Sequence, residues 1–207
     1  MKHLFKSLLI LFIVNACSPV VPIENPFQHP ETQDSRPSTP PKGPLRIFVL
    51  DVGQGDATLI IGPTRRSLLI DAGPPLSGAG SVLPFLEERE VSHLDWIVAT
   101  HFDADHIGGI PEVLRGADGL AGTEDDYEPS ESFLDRGEAT EKDTPIFGDY
   151  LVSLPDGRQQ AEPGLVLDLG GGATATVIVA NGRYIDGREI HLNPDEENEA
   201  CIGILIR

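Results

Sequence analysis

Positive charge is scarce in this chain: 15 Lys and Arg stand against 33 Asp and Glu in 207 residues, a formal net charge of −18 at pH 7. A field of that sign repels nucleic-acid phosphates at long range, which argues against stable binding of DNA or RNA through a broad basic surface. Arg65-Arg66 is a lone basic pair, expected to be solvated at a hairpin tip. Cysteine is nearly absent too. With only Cys17 and Cys201 present, a disulfide framework is excluded. Cys201 lies in an apolar strand pattern and is expected to be a small buried hydrophobe. Long apolar runs are also missing, and the most concentrated one, Leu8 through Val14, is too short to span a bilayer.

What is present begins with an export signal. Lys2 and Lys6 give a positive start, Leu8 to Val14 an apolar segment, and Val14-Asn15-Ala16-Cys17 resembles a bacterial lipobox. Residues 1–17 are therefore expected to be a lipoprotein signal peptide, with Cys17 lipidated and the protein held on a membrane. Ser18, rather than an acidic residue, leans towards the outer membrane of a Gram-negative bacterium, facing the periplasm or the cell surface. Residues 18–44 hold eight prolines and little aliphatic periodicity, the composition of a disordered tether.

Residues 45–207 are enough for one core and hardly for two. Leu45 to Leu50, Ala57 to Ile61 and Ser67 to Ile70 read as strands, the last two joined by a turn at Gly62 to Arg66. Val82 to Arg89 has helical spacing, Asp95 to Thr100 reads as a strand, and Ile110 to Leu114 opens a short helix. Residues 116–149 carry eleven acidic and two basic side chains and are expected to be an insertion loop. Asp118, Glu124, Asp125 and Asp126 offer hard oxygen donors there, though a solvated acidic loop is the simpler expectation. Leu165 to Leu169 and Ala173 to Ala180 form a hairpin across three glycines. The final run, Cys201 to Ile206, is apolar on both faces, as a strand inside a sandwich would be.

The densest chemistry lies in Thr100-His101-Phe102-Asp103-Ala104-Asp105-His106-Ile107-Gly108-Gly109, directly after the apolar run Trp96 to Ala99. Imidazole nitrogen and carboxylate oxygen together suit borderline divalent cations, and a strand end followed by a tight turn aims several such groups at one point. His101, Asp103, Asp105 and His106 are the candidate metal ligands. His93 is expected at the surface, and His191 is a weaker ligand candidate.

This run resembles the second signature of the metallo-β-lactamase fold, H-x-H-x-D-H, in the form with Asp at the third position found in the ComEC-like competence branch. Phe48 to Ala57, containing D-V-G-Q-G-D-A, and Leu68-Leu69-Ile70-Asp71-Ala72-Gly73 resemble two further motifs of that branch, in the right order. Asn198-Glu199-Ala200-Cys201 is weakly similar to the N-x-x-S that opens a later strand. The resemblance implies an α+β fold, an αββα sandwich, of which this chain holds the first half. In the family the elements after that strand carry Gly-Asp and His-His-Gly-Ser motifs, and the expected final strand Cys201 to Arg207 is followed by neither.

The resemblance further implies two divalent ions, zinc or manganese, with His101 and Asp103 on one and Asp105 and His106 on the other. Asp71 would support the loop through hydrogen bonds, and Asp105 and Asp71 are the candidate catalytic residues. Asp103 in place of His hardens the donor set towards manganese or magnesium. The expected activity is an exported metal-dependent hydrolase of phosphodiester or other ester bonds, on a small-molecule or phosphodiester substrate. The alternative is a truncated, non-catalytic lipoprotein remnant with a binding or structural role.

Overall fold

The structure is a computed structural model describing residues 43–137, 144–193 and 197–207. The expected signal peptide, the lipobox and all but the last two residues of the tether lie outside the described residues.

Six strands, β1 (Arg46–Val49), β2 (Thr58–Ile61), β3 (Ser67–Ile70), β4 (Trp96–Val98), β5 (Ser132–Asp135) and β6 (Gln159–Gln160), form one sheet in that spatial order. β1, β2 and β3 are antiparallel neighbours, while β3, β4, β5 and β6 run parallel. A smaller antiparallel sheet has the order β10 (Gly203–Ile206), β8 (Ala173–Ala180), β7 (Val166–Gly170), with β9 (Arg183–Tyr184) also paired to β8.

Side chains alternate across a strand, so each central strand feeds two cores. Leu59, Leu69, Ile97 and Phe133 point to the helices α1 (Leu83–Glu88), α3 (Ile110–Leu114) and α4 (Pro145–Ser153). Their sequence neighbours Ile60, Leu68, Val98 and Leu134 meet Leu167, Leu169, Ala175 and Val177 of the smaller sheet. The result is the helix–sheet–sheet succession of a metallo-β-lactamase-type sandwich. Two-sided burial explains why β2 and β3 read as unbroken apolar runs. Each fully buried Leu, Ile or Phe contributes about 1.5–3 kcal/mol.

Three expectations change. The stretch 116–149 is not simply an insertion loop: it supplies β5, between β4 and β6, and the start of α4. Its acidic composition misled because Asp135 is a buried, partnered charge. Tyr150 Oη donates to its Oδ2 at 2.7 Å, and Arg158 donates to Oδ2 and Oδ1 at 2.6 and 3.1 Å. The helix expected over Val82 to Arg89 starts earlier, as a π-helical turn Gly78–Val82 running into α1.

Of the basic pair Arg65 is exposed, as expected, while Arg66 is partly buried, and both are tied to neighbouring elements. Arg65 donates to the carbonyls of Arg89 and Glu90, while Arg66 lies 4.5 Å over the Trp96 ring and pairs with Asp95 and Glu131. β10, apolar on both faces, is an edge strand half-buried along its length, with β8 its one strand partner among the described residues.

Candidate metal centre

The three sequence motifs converge at the ends of β3 and β4. Asp71 follows β3 with a left-handed φ of 55°, turning its carboxylate under the neighbouring strand end. Its N–H donates to Val98 O at 2.8 Å, and Ala72 N–H donates to His106 O at 2.9 Å. The glycines permit contact without intervening side chains: a Cβ on Gly109 would overlap Ala72 O, and one on Gly55 would overlap the backbone of Asp105. The first motif is therefore packed directly against the third.

The Asp71 carboxylate, buried to 1% exposure, organises the site. Oδ1 accepts Thr100 N–H at 2.8 Å, while Oδ2 accepts Thr100 Oγ1–H at 2.6 Å and His106 Nδ1–H at 2.8 Å. Thr100 Oγ1 also lies 2.9 Å from His101 Nδ1. The hydroxyl proton is engaged with the carboxylate, so Thr100 must accept here and His101 must carry its proton on Nδ1. Both histidines thus keep the Nε2 lone pair for a ligand. Burial lowers the His106 pKa, but the hydrogen bond to Asp71 and the charges of Asp71, Asp105 and Asp56 outweigh it and raise the value overall.

Asp71, His101 and His106 bring ligand-capable atoms within 4.8 Å of one another, the one such group among the described residues. The two imidazole rings are 4.0 Å apart. Geometry alone would make Asp71 the third ligand. Its two oxygens already accept three hydrogen bonds, which fits a residue that orients the imidazoles. Asp103 stands closer to that task than its absence from the group suggests, with Oδ2 at 3.5 Å from His101 Nε2 and its side chain 34% exposed. Asp105 lies in α2 (Ala104–Ile107), half-buried, and acts on His106 through its charge. Two histidines with a nearby carboxylate are a donor set suited to zinc or manganese.

The other candidates fall outside. His93 and His191 are both exposed. Asp125 and Asp126 accept hydrogen bonds from Asp118 N, Gly122 N and Thr123 Oγ1, closing their own loop. Two contributors carried no assigned role in the sequence. Thr100 was open to inference, since it directly precedes the first histidine. Asn198 stood out only as the start of the weak N-x-x-S resemblance; that its Nδ2 reaches Asp103 Oδ2 at 3.1 Å, from 95 residues away, is visible in the structure alone.

The profile of the metallo-beta-lactamase superfamily matches residues 50–183, and the chain belongs to that superfamily, whose members are metal-dependent hydrolases. Competence protein ComA of Neisseria gonorrhoeae is 33% identical over 95 residues, 45% of this chain and 14% of that protein. Atrochrysone carboxyl ACP thioesterase of Emericella nidulans is 34% identical over 79 residues, 38% of this chain and 25% of that protein. The chain thus spans a quarter or less of the length of these curated relatives. The structure of MEM-A1, a subclass B3 metallo-beta-lactamase from a soil metagenome library, aligns with a TM-score of 0.43 at 19% identity, covering 69% of this chain and 52% of that one.

Proposed function

We propose that this protein is a metal-dependent hydrolase of ester bonds, exported and anchored to a membrane through lipidated Cys17. The observation that carries the hydrolase reading is the continuous hydrogen-bonded path His101–Thr100–Asp71–His106, which fixes two imidazoles in the tautomer a metal requires. His101, Asp103 and His106 would hold the ion, with Asp105 beside them, and zinc or manganese fits this set. A divalent metal supplies, when bound, electrophilic polarisation of the ester and a lowered pKa for water. The chain's own part is to orient: Asp71 and Thr100 lock the ring planes, and the Asp105 carboxylate would be the group to accept a proton from water.

Substrate class follows from charge. A net −18 repels polyanions, which favours a small phosphodiester, carboxylic ester or thioester over a nucleic acid. The similarity to an ACP thioesterase supports acyl chemistry as one of these classes. The test compares turnover of a chromogenic phosphodiester and a chromogenic thioester by the 207-residue chain with zinc or manganese. Turnover of one that a His101→Ala, His106→Ala double variant lacks is expected; equal rates for both proteins would overturn the hydrolase reading.

A further inference from the structure

We infer that Asn198 is a positioning residue for the metal centre, acting through Asp103; the inference rests on the metal-centre reading above. Asp103 is the N-cap of α2, where an aspartate ordinarily bonds its carboxylate to a backbone N–H of the first helical turn. Here the side chain makes no capping bond. Only the Asp103 carbonyl serves the helix, accepting His106 N–H at 2.9 Å and Ile107 N–H at 3.1 Å. The carboxylate is turned elsewhere: Oδ2 lies 3.5 Å from His101 Nε2, and the Asn198 amide donates to that same oxygen at 3.1 Å.

The amide is brought there by the fold. Asn198 lies on a 3-10 turn, Glu197–Ala200, immediately before β10. Ile202 N–H donates to Thr100 O at 2.9 Å, so the entry to β10 is fastened to the residue preceding His101. Ala200, buried in the same turn, accepts from Asn181 N–H at 3.2 Å.

The type of donor matters. A partly exposed carboxylate rotates about its terminal torsion, and aiming it at a cation means giving up that freedom. A lysine or arginine would restrain it but would also cancel its charge and repel a metal. A neutral amide restrains the group and leaves its charge intact. Since Asp103 stands where the resembling motif has histidine, a planar ring held by its neighbours is replaced by a carboxylate that needs a separate orienting partner.

The experiment is a zinc titration by calorimetry of the full chain, with cobalt(II) absorption spectra as the report on ligand geometry. Asn198→Ala is expected to weaken zinc about tenfold and to alter the cobalt spectrum, while leaving the thermal midpoint of the metal-stripped protein unchanged because the side chain is exposed. In an Asp103→Asn background the same change is expected to have no further effect, since the residues act as one pair. Zinc affinity unchanged in Asn198→Ala, or a loss equally large in the Asp103→Asn background, overturns the inference while the metal centre stands. Wild-type zinc binding that is absent, or indifferent to His101→Ala and His106→Ala, brings down the metal-centre reading and this inference together.

Discussion

Thr100 shows how much one hydroxyl can decide. It donates to Asp71 and accepts from His101, so the carboxylate, the hydroxyl and two imidazoles share one protonation pattern. Valine at this position keeps the size but removes both bonds, and with them the acceptor that fixes the Nδ1 proton of His101. Thr100→Val is expected to weaken zinc binding roughly 10–100-fold, and Thr100→Ser to retain it, as read by calorimetry. Identical affinities for the two variants would mean that the backbone, and not the hydroxyl, sets the ring. Gly55 and Gly109 work at the same scale by having no side chain, which lets the three motif backbones touch.

Among the elements, β5 links the centre to the rest of the core. Phe133 faces the helices and Leu134 the second sheet, while Asp135 ends the strand beneath α4. Tyr150 of α4 contacts the Phe102 ring at 5.6 Å, next to His101, and hydrogen-bonds Asp135. Phe133→Ala is expected to cost about 3–5 kcal/mol by urea denaturation. A change within about 0.5 kcal/mol, as on an exposed loop, would contradict the placement of β5.

The same joint has an alkaline limit. Burial first, and then the charge of Asp135 and the hydrogen bond to it, hold the Tyr150 phenol well above its ordinary value. The folded state keeps a proton that the unfolded state releases. The resulting stability is intact below about pH 10 and is lost as pH rises further. Tyr150→Phe is expected to flatten that alkaline limb while lowering stability at neutral pH, because Asp135 loses a donor; denaturation midpoints measured across pH 8 to 11 check both signs.

At the scale of the whole molecule, the acidic charge bears on which partners are proposed. The 207-residue chain is expected to show no stable binding to duplex DNA at physiological salt, and fluorescence anisotropy with a labelled duplex is the direct measurement. Saturable binding in the absence of metal would mean that a local basic surface overrides the net −18. The proposed membrane attachment is tested at the same scale. Cys17→Ala is expected to move the protein from the membrane fraction to the soluble one; retention in the membrane would remove the lipid anchor from the proposal. Among the described residues no helix is long and apolar enough to cross a membrane.

Local pattern was sufficient for several features. His101 and His106 fall within six residues after a strand, so their approach to one another was legible in the chain. So were β2, β3, α3 and the β7–β8 hairpin, whose apolar runs and glycine turns carry their own signal. The three motifs also identified the fold family, because each couples a strand end to a turn with little room for substitution.

Tertiary structure alone decided the rest. The resemblance implied that Asp71 supports this loop, but only the packed structure names Thr100 and His106, 29 and 35 positions away, as its partners, and the bond of Asn198 to Asp103 spans 95. No periodicity records such pairings. The acidic stretch around β5 hid a central strand for the same reason: a buried Asp135 is tolerable only beside Arg158 and Tyr150, and that proximity is a property of the packed molecule, not of the neighbouring sequence.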